Sequence, residues 1–385
     1  MRKGWEYKKL GEVCTIKAGY TPKKNELSDN GAYPYYKVAD MNTLGNDVYL
    51  DITSSYKIDA NKLFPKGAIV FPKNGAAVST NKKRILKYDS IVDLNTGVAI
   101  FSKSINEKFA YYWFIDTDFK KYVRGGALPT LDIKSLKDKP FPSIDKSTQL
   151  AIVSELDKIN ELIRLKKEQL KDFDNLAQSL FYEMFGDPVE NEKGWEVKKL
   201  GELLKVIGGY AFKSDKYKDE GIPILRIGNI NSGFFRDTNL VFAESDEKLE
   251  RYKIFPGDIV ISLTGTVGKS DYGNVCIMDN AYNFYYLNQR NAKLEIFGNL
   301  DKYYLSAILK NEVIKSRLTS ISRGVRQANI ANKDIENLQI PLPPLSLQQL
   351  FAQRIEQIER EKSEVQKSIQ DLETLLASRM QYWFE

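Results

Sequence analysis

Two polar clusters in the second half of the chain have the residue types that recognise nucleic-acid bases. Their members carry side chains suited to specific hydrogen bonding: Asn288, Gln289, Arg290, Arg323, Arg326 and Gln327. Arg, Asn and Gln can form paired hydrogen bonds with base edges, whereas Lys mostly neutralises phosphate. The clusters therefore indicate binding to a nucleic acid, although a solvated loop is the alternative for any single side chain.

The first half of the chain contributes a basic cluster, Lys82, Lys83 and Arg84, in one predicted loop. Because clustered cations suit neutralisation of a phosphate backbone, we expect all three to contact phosphate. Further polar candidates lie in or beside glycine loops of both halves: Lys73, Asn74, Asn95, Thr96, Thr264, Thr266 and Lys269. Together these residues form the candidate nucleic-acid-binding set.

Signatures of catalysis are missing from the sequence. The chain has no histidine, which is the usual general base near neutral pH and the commonest metal ligand. It has no GxxxxGK[ST] loop, no GxGxxG after a strand and no [DN]PP[YF] tetrapeptide. Cys14 and Cys276 form no CxxC pair, so we interpret them as buried small hydrophobes. We expect no catalytic residue, metal site or cofactor in this chain, and an enzyme is the least favoured class of protein.

One segment of the sequence occurs twice. Residues 4–20 read GWEYKKLGEVCTIKAGY and residues 194–210 read GWEVKKLGELLKVIGGY, with ten of seventeen positions identical at an offset of 190. The similarity continues more weakly downstream: KLFPKGAIVFPKNGAAV (62–78) matches KIFPGDIVISLTGTVG (253–268), and LNTGVAIF (94–101) matches LNQRNAKLEIF (287–297). These matches predict two domains of shared ancestry and fold.

Size and charge narrow the class of protein. A chain of 385 residues is long enough for two or more domains. We find no run of about 18 apolar residues and no signal peptide, so we expect a cytoplasmic protein without a membrane partner. The net charge is +8 in residues 1–145, +1 in residues 186–345 and −3 in the two helical segments. The globular parts, chiefly the first, are therefore the candidates for an anionic partner.

A long helix is predicted after each globular part. From Gln149 to Phe185 the chain lacks proline and glycine, and apolar residues recur at alternating steps of four and three, as in a coiled coil. A copy of this pattern starts at Gln348 with an offset of 199. The predicted seam consists of Leu156, Ile159, Ile163, Leu170, Phe173, Ile355, Ile358, Val365, Ile369, Leu372 and Leu376. A lysine interrupts each seam, Lys166 or Lys362, and such polar residues can fix the register of helix pairing.

The predicted fold class is α+β, with two similar globular domains and two long helices in alternation. The domains occupy residues 1–145 and 186–345, a central spacer helix occupies 146–185, and a C-terminal spacer helix occupies 346–385. We expect the helices to pair as an antiparallel coiled coil with pseudo-two-fold symmetry. The alternative is that each helix buries its apolar stripe against its own domain.

The order of these features resembles that of specificity subunits of type I restriction-modification systems. The resemblance covers essentially the whole chain: GWE..KLGE opens each domain, GDIVISLTGTVGK follows in the second, and a P[LF]P segment and a long helix close each copy. The first domain departs from the pattern, because FPKNGAAV stands where the second has ISLTGTVG. The resemblance implies two target-recognition domains, each reading one half of an interrupted double-stranded DNA site.

The resemblance also implies partner subunits. Two methyltransferase (modification) subunits would dock on the helical spacer, and restriction motor-nuclease subunits would join them. S-adenosylmethionine, ATP and Mg²⁺ would belong to those partners. The copied stretches would then be scaffold or partner-facing surface, so Trp5 and Trp195 are assigned to the core or a docking surface. The alternative is a structural adaptor whose coiled coil holds two protein-binding domains apart.

Overall fold

The computed structural model describes residues 2, 4–53, 55–57, 63–126, 128–266, 269, 271–320 and 327–385, with the backbone alone for Lys57 and Gln327. The chain forms two compact units: the first contains residues 1–167 with 367–385, and the second contains residues 168–366. The predicted spacer helices are present as Lys146–Phe185 and Leu345–Phe384. This division differs from the four predicted segments because each long helix contributes residues to both units.

A five-stranded sheet forms the centre of the first unit. Its strands lie in the order Cys14–Ala18, Thr96–Phe101, Ile69–Pro72, Arg84–Leu86 and Tyr49–Leu50. Side chains alternate between the two faces of a strand. Ile69 and Phe71 accordingly pack in one cluster with Trp113 of a covering helix, whereas Val70 packs in another with Tyr36 and Leu50. Both faces are buried, which explains the uninterrupted apolar run of this strand.

Shorter elements complete the first unit. A second sheet has the order Leu27–Ser28, Tyr56–Lys57, Tyr33–Tyr36 and Ile91–Val92, and two strand pairs are Glu6–Lys9 with Pro140–Ser143 and Val123–Arg124 with Thr130–Leu131. The helices before the first long helix are Leu10–Val13, Glu107–Asp116 and Ile133–Lys137, with 3₁₀ turns at Lys24–Glu26, Val38–Asn42, Ala76–Thr80 and Phe119–Tyr122.

The second unit repeats this plan. One sheet has the order Leu204–Gly208, Asn291–Ile296, Ile259–Ser262 and Val275–Ile277, and another has the order Val241–Ala243, Ile222–Leu225, Tyr285–Leu287 and Lys253–Ile254. Ile259 and Ile261 pack in one cluster and Val260 in another, as in the matching strand of the first unit. The likeness predicted from the repeat therefore extends to the alternation of side chains between two cores.

The remaining elements of the second unit are two strand pairs, three helices and four 3₁₀ turns within the described residues. Two strand pairs are Glu196–Lys199 with Gln339–Leu342 and Thr264–Thr266 with Gln327–Asn329. The helices before the second long helix are Lys302–Lys310, Glu312–Thr319 and Asn332–Glu336, with 3₁₀ turns at Leu200–Glu202, Ser214–Lys216, Ile227–Asn229 and Glu247–Tyr252.

The long helices contribute to the core of each unit. In the first unit, Ile152 and Leu156 near the start of one helix share a hydrophobic cluster with Met380 and Phe384 at the end of the other. That cluster also contains Phe141 of the globular part. The start of the helix therefore packs on its own domain, as the alternative predicts, and it also shares this core with the end of the other long helix.

In the second unit the roles of the two helices are exchanged. Phe351 and Ile355 near the start of the second long helix share a cluster with Phe181 and Phe185 at the end of the first, and with Tyr304 of the globular part. Every predicted seam residue is buried or half-buried. The heptad pattern therefore identified the packed face of both helices.

The two interrupting lysines are half-buried along the same faces. Lys362 forms ion pairs with Asp174 at 2.8 Å and Glu359 at 3.1 Å, both in the second unit. Burial opposes the charged form of Lys362, but the hydrogen bond with Asp174 and the attraction of Glu359 raise the pKa of its ammonium above the ordinary value. The charge is thus held between two carboxylates beside the seam.

Both cysteines are buried free thiols, and burial raises the pKa of each to about 12. Their interpretation as small buried hydrophobes is confirmed, because so high a pKa leaves almost no reactive thiolate near neutral pH. Across the described ranges, no helix combines the length and the apolar character required to cross a bilayer.

Candidate nucleic-acid interface

A tight turn in each unit presents polar side chains beyond the end of a central strand. In the second unit, Asn288 Oδ1 accepts a hydrogen bond from Arg290 N at 3.2 Å. In the first, Asp93 Oδ1 accepts from Asn95 N at 3.2 Å and from the Thr96 hydroxyl at 2.7 Å. A side-chain oxygen that binds the backbone two residues onward fixes the conformation of such a turn. Each unit therefore carries a rigid polar tip.

In both units, equivalent backbone hydrogen bonds join this turn to the glycine loop that follows the duplicated strand. Leu263 N donates to Arg290 O, and Ile330 N donates to Leu263 O, both at 2.8 Å. In the other unit, Lys73 N donates to Asn95 O and Leu131 N donates to Lys73 O, also at 2.8 Å. Three segments that are distant in sequence thus meet at one place in each unit. Most of the predicted DNA-binding residues belong to these segments.

In the second unit, the loop after Ser262 forms the strand Thr264–Thr266, which pairs with Gln327–Asn329. Asp271 Oδ1 accepts a hydrogen bond from Thr266 N at 2.8 Å, and Asp271 Oδ2 accepts from the Thr266 hydroxyl at 2.9 Å. The backbone hydrogen bond from Thr266 is the main reason that the pKa of Asp271 lies below its ordinary value. The carboxylate stays charged and fixes the shape of this loop.

Asn95, Gln289 and Arg290 are exposed at the tips. The side chains of Gln289 and Arg290 make no hydrogen bond or ion pair with any residue that the structure describes. Thr264 is half-buried, and its hydroxyl has no hydrogen-bond partner among the same residues. The exposed Gln289 and Arg290 side chains are available to hydrogen-bond a ligand that lies against the tip, whereas the Thr264 hydroxyl oxygen is enclosed.

Two of the predicted contact residues instead hold the turns in shape. Thr96 is 1% exposed, and its hydroxyl is occupied by Asp93. Asn288 is 7% exposed, and its Oδ1 accepts from the following backbone. The burial of both side chains and the use of the Thr96 hydroxyl and Asn288 Oδ1 inside the turn disfavour the predicted contact of these residues with DNA. They position Asn95 and Arg290.

The basic cluster at residues 82–84 is also placed differently from the prediction. Lys83 is fully buried, and its ammonium donates to Asn81 Oδ1 at 2.6 Å and to Thr117 O at 2.7 Å. It lies 4.1 Å from the centre of the Phe119 ring. Burial lowers the pKa of Lys83 to about 7. The prediction of a phosphate contact is wrong for this residue, because its side chain points into the core.

Arg84 and Lys82 brace a neighbouring loop. Arg84 begins a strand instead of lying in a loop, and its guanidinium donates to Asn46 O and, at 2.9 Å, to Met41 O. Lys82 Nζ donates to Asn42 Oδ1. Both side chains are half-buried. Their hydrogen bonds to one short segment, 41–46, indicate a structural role that the charge pattern alone did not reveal.

The other predicted residues differ in how the structure places them. Lys73 and Asn74 are half-buried in the loop joined to Asn95, whereas Lys269 is exposed. Gln327 is described by its backbone alone, which pairs with Thr266. Arg323 and Arg326 lie outside the described residues.

Sequence reasoning missed two glycines that support the tips. An added Cβ at Gly19 would stand 2.1 Å from Asp93 O, and one at Gly209 would stand 2.2 Å from Asn288 O. Real Cβ atoms do not approach a carbonyl oxygen so closely, so only glycine fits here. The signal was present in the sequence, because both belong to the duplicated segment ending in Gly-Tyr.

The structure also corrects the predicted alignment around the tips. The sequence paired Leu94 with Leu287. However, Tyr20 N donates to Val92 O and Tyr210 N donates to Leu287 O, which makes Val92 the counterpart of Leu287. The matching hydrogen bonds then make the two turns correspond residue by residue, with Asn95 equivalent to Arg290. The sequence alignment was wrong because it relied on the dipeptide Leu-Asn, which occurs at 94–95 and at 287–288. The hydrogen bonds that define the correct alignment cannot be recognised in a sequence.

The rest of the duplicated segment connects each domain to the long helices. Lys9 N donates to the Glu12 carboxylate and Lys199 N to that of Glu202, both at 3.1 Å. The strands Glu6–Lys9 and Glu196–Lys199 pair with the P[LF]P strands that precede the long helices. These hydrogen bonds and strand pairs indicate that the shared KKLGE sequence serves as scaffold in both domains.

The two tryptophans of the segment lie against helix ends. Trp5 stacks on Trp383 with ring centres 6.0 Å apart, and Trp195 Nε1 donates to Phe185 O at 2.8 Å. Trp5 is partly buried against the core of the first unit. These positions agree with the assignment of both tryptophans to the core or a docking surface.

Residues 2–172 and 192–374 each match the family model of the type I restriction modification DNA specificity domain. The chain belongs to that family. It is 25% identical over 410 residues to the type I restriction enzyme MjaVIII specificity subunit of Methanocaldococcus jannaschii, covering 97% of this chain and 92% of that protein. It is 27% identical over 172 residues to the EcoKI specificity subunit of Escherichia coli, covering 43% of this chain and 36% of that one.

Solved structures show the same fold. The S subunit of a type I restriction-modification system from M. genitalium has a TM-score of 0.56 at 17% identity, covering 99% of this chain and 96% of that one. A chain from a type I system studied for its complex assembly and conformational transition has a TM-score of 0.59 at 20% identity, covering 100% and 98%. Family membership confirms the prediction of two DNA specificity domains and of a recognition subunit that is not an enzyme.

Proposed function

We propose that each specificity domain of this chain reads one half of an interrupted site in double-stranded DNA. The observation that carries the proposal is the pair of matching tips, in which Asn95 and Arg290 occupy equivalent positions on equivalent hydrogen-bonded frames. Duplicated domains would use the same frame with different side chains to read different bases. Arg is suited to guanine and Asn to adenine in the major groove.

We propose further DNA contacts in both domains. In the first domain they are Lys73, Asn74 and Asn95, with Lys82 at the edge. In the second they are Thr264, Thr266, Lys269, Gln289 and Arg290, together with Arg323, Arg326 and Gln327. Lysines would neutralise phosphate, while Arg, Asn, Gln and Thr would face base edges.

We further propose that the long helices form an antiparallel coiled coil with pseudo-two-fold symmetry. This arrangement would set the distance between the half-sites and dock two methyltransferase subunits, to which restriction motor-nuclease subunits bind. The buried seam and the exchange of helix roles between the two units support it. S-adenosylmethionine, ATP and Mg²⁺ would act in those partners, in the cytoplasm. The adaptor alternative is disfavoured by the double match to a DNA specificity model.

The test is the affinity of this chain for duplex DNA, measured with and without its methyltransferase partner over a range of salt concentrations. A methylation map of the source genome first identifies the motif, and scrambling one half-site at a time provides the matched controls. We expect binding that weakens with salt and loses specificity when either half is scrambled. Salt-independent binding, or none with the partner present, would instead support the adaptor.

A further inference from the structure

An exposed apolar side chain stands on the corresponding loop of both units. Leu44 is 90% exposed and Phe234 is 53% exposed. Each is next to a glycine with a left-handed backbone, Gly45 at φ 93° or Gly233 at φ 81°. Single exposed apolar residues are common on protein surfaces. Leu44 and Phe234 differ from such isolated residues, because an exposed apolar side chain beside a left-handed glycine is present in both domains although their loop sequences have diverged.

The two loops begin in the same way. Lys37 N donates to Asp40 Oδ2 at 2.7 Å, and Arg226 N donates to Asn229 Oδ1 at 3.0 Å. Each capped turn directly follows a matching strand, Tyr33–Tyr36 or Ile222–Leu225. The exposed side chains therefore lie on corresponding loops at neighbouring positions, because Leu44 precedes its glycine whereas Phe234 follows its own.

Buried amides hold both loops rigid. Asn46 is fully buried, and its Nδ2 donates to Asp40 O at 2.9 Å and Ile52 O at 2.8 Å. Asn229 is 1% exposed, and its Nδ2 donates to Arg236 O at 2.9 Å. A braced loop loses little conformational entropy when it binds a partner. The apolar tips are thus suited to direct contact.

The loops lie at the same edge as the polar tips. Strand Ile222–Leu225 is parallel to its neighbour Tyr285–Leu287, and Tyr33–Tyr36 is parallel to Ile91–Val92. Neighbouring parallel strands end at one edge, so the segments that follow them emerge side by side. A shallow depression in the second unit confirms this proximity, because its walls include Asn231 of the loop and Arg290 of the tip.

Positive charge accompanies both apolar tips. The guanidinium of Arg236 lies 4.9 Å from the centre of the Phe234 ring. Lys82 binds Asn42 in the Leu44 loop. Cations next to a protruding apolar side chain suit a ligand that presents phosphates beside apolar base surfaces, and proteins that deform DNA use such apolar wedges.

We propose that Leu44 and Phe234 contact the bases of the DNA directly, each adjoining the base pairs read by the polar tip of its own domain. The contact is apolar, made to a base step or to a thymine methyl group. The proposal rests on the proposed function, since it specifies a further contact of the same interface. It adds a specificity determinant that the polar candidates do not include.

The experiment compares Phe234→Ser with Phe297→Ser in the full chain bound to its methyltransferase. Phe297 is a matched control, because it is also an exposed phenylalanine, with 65% of its surface accessible. It follows strand Asn291–Ile296 at the end opposite to Arg290, and therefore lies away from the polar tip. Binding to a duplex with the methylated motif is measured across salt concentrations. We expect Phe234→Ser to weaken binding about tenfold to a hundredfold, with an unchanged salt slope and with recovery in Phe234→Leu.

Leu44→Ser is the parallel variant for the first half-site, and thermal melting verifies that each variant is folded. Equal affinities for Phe234→Ser and Phe297→Ser would overturn the proposal. So would a loss of methyltransferase binding in the absence of DNA, since the tip would then be a protein contact. Failure of the unsubstituted complex to bind its own motif would count against the proposed function instead.

Discussion

Gln149 and Gln348 form matching sets of hydrogen bonds in their own units. Each Oε1 accepts from the backbone N–H of a helix-capping residue, Asn106 or Asp301, at 2.8 Å. Each Nε2 donates to two backbone carbonyls, one before the capped helix and one before the long helix. Both glutamines are almost completely buried. They join each domain to its spacer helix.

Gln348→Leu should lower the free energy of unfolding by about 1–3 kcal/mol, because it leaves one buried N–H and two carbonyls without partners. Urea denaturation followed by circular dichroism measures the change. Gln349→Leu is the control, since that neighbouring side chain is exposed. Equal stability of the two variants would contradict the role of the buried amide.

Gly209→Ala should disturb the turn that carries Arg290, because the new Cβ would lie 2.2 Å from Asn288 O. Steric crowding of this kind typically costs about 1–3 kcal/mol of stability. We expect a lower melting temperature and weaker discrimination at the second half-site. Gly228→Ala is the matched control, since nothing lies within 4 Å of its added Cβ. An unchanged melting temperature for Gly209→Ala would show that the turn can move aside.

Arg290→Ala should relax base choice in the second half-site by about 1–3 kcal/mol, whereas Asn95→Ala should do so in the first. Competition binding with duplexes that differ at one base pair measures the discrimination. Lys205→Ala is the control, because this exposed lysine lies opposite Glu295 in the strand register, toward the far end of the strand that follows Arg290. A methylation motif that stays unaltered in Arg290→Ala would exclude base reading by this residue.

Lys83 should make the stability of the first unit depend on pH. Its pKa is about 7 in the folded chain, against 10.5 ordinarily. Between these values the unfolded chain binds more protons, so stability rises with pH. Relative to Lys83→Met, the unsubstituted protein should gain stability as the pH increases from 7 to 10.

Denaturant titrations at several pH values measure this difference. Lys82→Met is the control, because that side chain is only half-buried. Lys83→Met should also leave the salt slope of DNA binding unchanged, since a buried ammonium neutralises no phosphate. The same pH dependence in both variants would indicate another titrating group.

A chain that ends at Phe185 should form a homodimer. This chain lacks Met380 and Phe384, which pack in the core of the first unit. Phe181 and Phe185 are their counterparts at the repeat offset of 199, so these residues of a second molecule can take their place. We expect sedimentation to show a dimer at tens of micromolar. With a methyltransferase, this dimer should recognise an interrupted palindrome built from the first half-site.

The homodimer should be weaker than the natural pairing, because Arg379, which binds Glu155, is replaced at this offset by Leu180. Leu180→Arg in the truncated chain should therefore strengthen the dimer, by at most about 1 kcal/mol for a partly exposed ion pair. A folded monomer with intact helix content would contradict the proposed helix pairing.

The sequence by itself determined the repeated plan and the long helices. The helices Lys146–Phe185 and Leu345–Phe384 could be predicted from their heptads. Helical periodicity is a local property of the sequence, and the spacing of apolar residues identifies the face of the helix that is buried. The duplicated Gly-Trp-Glu segments likewise identified two copies of one domain. These features depend on residues that are close together in the chain.

Only the tertiary structure decided which polar residues face a ligand. From the sequence, Lys83 and Asn95 are both polar candidates in predicted loops. In the structure the Lys83 ammonium is enclosed by Thr117 and Phe119, whereas the Asn95 side chain is exposed. The tip itself depends on a hydrogen bond between Lys73 and Asn95, which no local pattern reports. Loop conformation is set by partners that are distant in the chain, so the residue type alone cannot predict exposure.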